Sequence, residues 1–168
     1  MKNVQQYLTN PSWEMILPLV LFAVLFFYGL YRGHRRLAAI IIYTYVALAV
    51  FAVLPMQKIT GFLVSLGVKE WEAKAGVFVI LLLLLAFLLG TRKNSRFSLG
   101  SWWQVFLFSV LQAGLLAHII LGFLPPEKMD TLSPAVRRFL AGPDYNLWWV
   151  IVPIAIVVIV RRMERREG

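Results

Sequence analysis

Apolar residues in this chain fall into long unbroken runs, with polar and charged residues gathered between them. A helix that crosses a bilayer needs about 20 apolar residues at 1.5 Å rise each. Four runs approach that length: residues 14–31 (EMILPLVLFAVLFFYGLY), 37–54, 73–90 (centred on VFVILLLLLAFLL) and 102–124. A fifth, from Leu147 to Val160, has 14 residues, about 21 Å as a helix. Trp148 and Trp149 mark one interface for it, and Arg161, Arg162, Arg165 and Arg166 mark the other, where they can snorkel. Tyr145 and Asn146 extend its start, which gives a span over 146–160. The expectation is an all-α, polytopic membrane helix bundle of about five transmembrane helices, forming one integral membrane domain over residues 1–168.

The segments between spans carry helix signals of their own. In residues 55–72, Ile59, Phe62, Leu63 and Leu66 recur at helical spacing, Gly67 ends the turn, and Trp71 stands at the interface before the third span. In residues 125–146, Ser133 is an N-cap, Pro134 suits the first helical position, and Gly142 is a stop. Val136, Phe139 and Leu140 share a face opposite Arg137. Each loop is therefore expected to hold a short interfacial helix. Pro18 and Pro153 each remove a backbone donor from the first and fifth spans.

Composition agrees with the pattern. Of 168 residues, 60% are hydrophobic and 15% charged, with a mean hydropathy of +0.75; a soluble domain runs nearer 45–50% and 25%. That excludes an ordinary soluble enzyme and a disordered chain. The absence of cysteine excludes disulfides, a thiol nucleophile and Cys-ligated metal. The net charge of +9 and pI near 10.3 would suggest nucleic acid in a soluble protein, but the charges are placed otherwise. With five spans, one side collects Arg32, Arg35, Arg36, Arg92, Lys93, Arg96 and the four terminal arginines: ten basic residues against two acids. The other side holds seven basic residues against six acids. By the positive-inside rule the first side is cytoplasmic, the N-terminus is outside and the C-terminus inside. The basic clusters then meet anionic lipid headgroups at the cytoplasmic face, and no nucleic-acid partner is implied. The first run reads as an uncleaved anchor, because its basic cluster follows the apolar stretch and no small-x-small cleavage site succeeds it.

No Asp, Glu, Lys or Arg lies within the body of a span, and no HExxH, Walker loop or GxSxG occurs. Proton-relay, carboxylate-channel and metalloprotease chemistries therefore lack their residues, and no cofactor or metal site is expected. The polar side chains inside the spans are Tyr43, Thr44 and Tyr45 on the second, with Gln104, Ser109, Gln112 and His118 on the fourth. The latter four cover roughly half the helix circumference. Their first reading is hydrogen bonding to neighbouring helices. The rival reading is a small transporter, channel or lipid-handling protein whose cavity is lined by Tyr43, Thr44, Gln104, Gln112 and His118 of the second and fourth spans. Ala113, Gly114 and Ala117 offer a close-packing stripe on the fourth span, and the leucine-rich third span faces lipid.

Residues 29–39, GLYRGHRRLAA, join the first two spans through a short basic turn. The segment resembles the corresponding turn of the colicin V production protein family, with Arg32, Gly33 and Arg36 matching its RG-x-x-R-type pattern. The resemblance covers about the first 55 residues; the long outer loop and fifth span depart from the family's four-span plan. It implies a bacterial inner-membrane protein with an outside N-terminus, linked to export or envelope homeostasis, and it carries no catalytic residues. The functional expectation is a non-enzymatic membrane protein that assembles with other membrane proteins or with itself.

Overall fold

The computed structural model describes residues 13–89, 102–130 and 132–164. The basic residues Arg92, Lys93, Arg96, Arg165 and Arg166 lie outside the described residues, as does Gly90 at the end of the expected third span. The described residues form eight helices and no strand: α1 (Trp13–Arg32), α2 (His34–Val53), α3 (Met56–Ser65), α4 (Glu70–Leu89), α5 (Trp102–Gly122), α6 (Pro126–Met129), α7 (Pro134–Phe139) and α8 (Pro143–Glu164). The protein is an all-α helix bundle. Four helices, α2, α4, α5 and α8, are long and apolar enough to cross a membrane; α1 has a shorter apolar stretch, Ile16–Arg32.

Glycine and proline set the boundaries. Gly33 separates α1 from α2 at φ 87°, a conformation that disfavours any Cβ, and its N–H donates to the Gly29 carbonyl at 2.7 Å. Leu54 is pushed to extended backbone by the proline that follows, and α2 stops there. α3 ends in a Schellman arrangement: Gly67 at φ 88°, its N–H on the Val64 carbonyl and the Val68 N–H on the Leu63 carbonyl. Pro134 and Ser133 start α7 as expected, with the Val136 N–H on Ser133 Oγ at 3.5 Å.

Three sequence expectations change. The fifth span, expected over 146–160, lies within a 22-residue helix that begins at Pro143. The polar run Pro-Asp-Tyr-Asn hides this start from a hydropathy reading, although proline is at home in a first helical turn. On α3 the inward positions are Met56, Ile59, Thr60 and Leu63, whereas Phe62 and Leu66 are exposed. On α7 only Val136 is buried; Phe139 turns outward and packs its ring on Tyr145, centroids 5.1 Å apart. The four-residue α6 had no counterpart in the pattern.

α5 is the hub. Within its membrane-length window 67% of positions are buried, against 17–28% in α2, α4 and α8. At one end of the bundle, Leu37 and Ile41 of α2, Val105 and Phe108 of α5, and Val157 and Val160 of α8 form one cluster. The ends of α1 and α8 that carry Arg32 and Arg161 therefore share that end with the start of α2. Farther along, Ala47, Phe78, Leu82, Leu115 and Ile119 join α2, α4 and α5. At the opposite end, Leu121, Leu124, Leu132 and Val136 form a cap cluster, with Trp71 packed against it. Lys128 lies over the Trp71 ring, 4.2 Å from its centroid. The leucines of α4 divide between two sides: Leu83, Leu84 and Leu88 are exposed, whereas Leu82 is buried with Phe78, and Leu81 and Leu85 pack against the same cluster.

Two glycines are required by close approach. A Cβ on Gly29 would collide with Leu37 and Val105, so α1 meets α2 and α5 at bare backbone. A Cβ on Gly114 would run into the Trp149 ring. Trp149, expected as an interface marker beside Trp148, instead packs its ring into the small-residue stripe of α5, while Trp148 is exposed.

Candidate functional site

The polar residues of the spans divide into two groups, one inside the bundle and one at its capped end. Inside, Gln112 Nε2 donates to Thr44 Oγ1 at 2.7 Å, and the Thr44 hydroxyl donates to the Ile40 carbonyl at 2.9 Å. Both residues are completely buried. Gln112 Oε1 has no partner among the described residues, a loss of about 1–3 kcal/mol for a buried acceptor. Ser109, also buried, donates to the Val105 carbonyl one turn back on its own helix. Tyr43 donates to the Leu89 carbonyl of α4, 2.9 Å away. Tyr45 donates to the Val150 carbonyl of α8 at 2.5 Å. Gln104, near the start of α5, is half-buried. These side chains tie α2 to α5, α4 and α8 one helix at a time. They do not gather around a common space.

His118 is different. Its Nδ1 lies 2.5 Å from the Leu140 carbonyl, and its Nε2 lies 2.8 Å from Asn146 Oδ1. A carbonyl only accepts, so Nδ1 carries a proton. Trp149 Nε1 donates to the neighbouring Phe139 carbonyl at 2.6 Å. Two of the carbonyls left open at the end of α7 are thus held by side chains from α5 and α8, which strap the short helix onto the bundle. At Gly142 a Cβ would strike the Arg138 carbonyl, which keeps this strap tight behind α7.

Beside His118 a groove of about 420 Å³ opens at the same end. Leu48 of α2, Ile119 and Gly122 of α5, Phe123, Met129 of α6 and Val150 of α8 form its walls. Its polar side chains are His118 and Asn146. Of the seven intramembrane polar residues singled out in the sequence, the groove takes only His118. Asn146 was read only as a helix extension and Trp149 only as an interface marker; the missing signal is tertiary, because neither makes its contact at helical spacing. No group of three or more His, Asp or Glu side chains suited to a metal occurs among the described residues.

At the opposite end, Arg32, Gly33 and Arg36 form the α1–α2 turn. The Arg36 N–H bonds the Gly33 carbonyl at 3.2 Å, and Arg32 lies over the Tyr31 ring, 5.3 Å from its centroid. The chain matches no protein-family model, and no curated protein and no solved structure matches it.

Proposed function

We propose that this chain is a non-enzymatic, multi-pass protein of the bacterial inner membrane that works by assembling with other membrane proteins or with further copies of itself. The observation that carries the reading is how the intramembrane polar groups are used. Thr44, Gln112, Tyr43 and Tyr45 spend their hydrogen bonds on neighbouring helices, as association glue within a bilayer does, while α1, α4 and α8 keep broad apolar faces outward. The N-terminus is outside and the C-terminus cytoplasmic, because Arg32, Arg35, Arg36, Arg161 and Arg162 stand at one end of the bundle and a cytoplasmic surface retains such residues. Anionic headgroups are their partners there. By its resemblance to the colicin V production family at the α1–α2 turn, the assembly serves export or envelope homeostasis.

Site-specific photo-crosslinkers at Val24, Leu83 and Ile154, all exposed, test this in intact cells. A discrete crosslinked protein from at least one helix face, retained in mild detergent, is expected. A chain that yields no crosslinked protein from any face and purifies as a bare monomer overturns the assembly reading.

A further inference from the structure

We propose that the groove beside His118 holds one acyl chain of a bilayer phospholipid, drawn from the leaflet at the α6–α7 end, with the lipid's ester region against His118 and Asn146. The inference rests on the membrane-spanning reading and adds a specific ligand site to it. Size is the first support. About 420 Å³ lies in the range of roughly 300–1,000 Å³ typical of small-molecule sites. Chemistry is the second. Leu48, Ile119, Phe123, Met129 and Val150 offer hydrocarbon, and no charged side chain lines the groove, so an uncharged chain loses little on entering.

The polar end matches an ester. With Nδ1–H committed to Leu140, a neutral His118 ring accepts at Nε2, and the Asn146 amide turned over supplies the N–H. That leaves the amide oxygen and a second N–H of Asn146 for a ligand. A charged ring would donate from both nitrogens and keep Asn146 Oδ1 as acceptor. Access is the third support. Beside its groove residues Asn146 and Val150, α8 exposes the apolar Leu147 and Ile151. The apolar wall therefore continues onto the face that meets lipid, and a chain can slide in sideways without crossing water. Finally, a Cβ at Gly122 would meet nothing within 4 Å, so the space beside that glycine is open.

The test uses the full chain reconstituted in vesicles of phosphatidylglycerol and phosphatidylcholine, doped with a phosphatidylcholine that carries a diazirine in one acyl chain. Labelled positions are mapped by peptide mass spectrometry after illumination. Labelling at Ile119, Phe123 and Val150 should exceed that at the exposed Val24 and Leu83 by about tenfold, the preference that 1.4 kcal/mol produces. Gly122→Phe, which fills the groove, should abolish the excess while leaving Val24 and Leu83 labelled. Even labelling of all outward faces overturns the groove site and leaves the membrane reading standing. Absence of label on every helix overturns the membrane reading itself. Groove residues that crosslink to a second protein chain in place of lipid overturn the proposal in favour of a docking site. Should Gly122→Phe fail to fold, Gly122→Leu takes its place, and the label map of the unaltered chain still decides.

Discussion

Gly114→Ala isolates the contact between α5 and α8 on which the hub depends. In an ordinary helix this change stabilises by up to about 1 kcal/mol, because glycine is the poorer helix former. Here the new Cβ collides with the six-membered ring of Trp149. That ring cannot swing aside freely, since its Nε1–H is bound to the Phe139 carbonyl at 2.6 Å. Overpacking of this kind costs typically 1–3 kcal/mol, which offsets the propensity gain and leaves a net loss of up to about 2 kcal/mol. For a chain of this size that lowers Tm by up to roughly 8 °C. Thermal unfolding in detergent, followed by tryptophan fluorescence, reads the shift. Gly76→Ala on α4 is the control: its Cβ meets nothing within 4 Å, so it should raise Tm slightly. Adding Trp149→Leu to Gly114→Ala should return part of the loss, with a coupling of about 0.5–3 kcal/mol in the double-mutant cycle. If Gly114→Ala stabilises as Gly76→Ala does, or the cycle shows no coupling, the close approach of α5 and α8 at this level is wrong.

Other consequences follow from the same bundle. Thr44→Val strands the buried Gln112 amide and should destabilise by about 1–3 kcal/mol, whereas Gln112→Leu, which also removes the unpartnered Oε1, should be nearly neutral; the double variant unfolding at lower denaturant than Thr44→Val alone would contradict this. Ser133→Ala removes a long cap bond and should cost near the lower end of about 0.5–2 kcal/mol, seen as faster hydrogen exchange at the Val136 amide with no change in global Tm. Because the chain lacks cysteine, single substitutions report orientation without background. Ser65→Cys should react with an impermeant maleimide in intact cells and Met163→Cys only after permeabilisation; the opposite pattern reverses the proposed topology.

The helices were legible because their information is local: apolar runs for α2, α4 and α5, Gly33 and Gly67 for two boundaries, Ser133-Pro134 for α7. The start of α8 was obscured because hydropathy scores Pro143, Asp144 and Asn146 as loop, whereas a helix start is decided by φ and by which N–H groups need partners. The capped end was less legible still. His118 could be picked out as an unusual residue, yet its bonds to Leu140 and Asn146 lie 22 and 28 positions away, and no periodicity encodes such a pairing. The packing of Trp149 was hidden for a related reason. Tryptophan favours interfaces as a class, but this one finds a bare glycine on the neighbouring helix.

The central position of α5 also bears on the order of events during synthesis. Phe22 and Phe26 of α1 pack their rings on Phe106 of α5, about 80 residues downstream. At translation rates of roughly 5–20 residues per second, α1 is made some 4–16 s before the surface it finally packs against. In a bilayer that delay is tolerable, since phenylalanine waits in hydrocarbon at little loss, and early helices can insert first and associate later. In water the same aromatic face would be an aggregation hazard for the whole interval. The hub helix arrives late, and the lipid acts as a placeholder until it does.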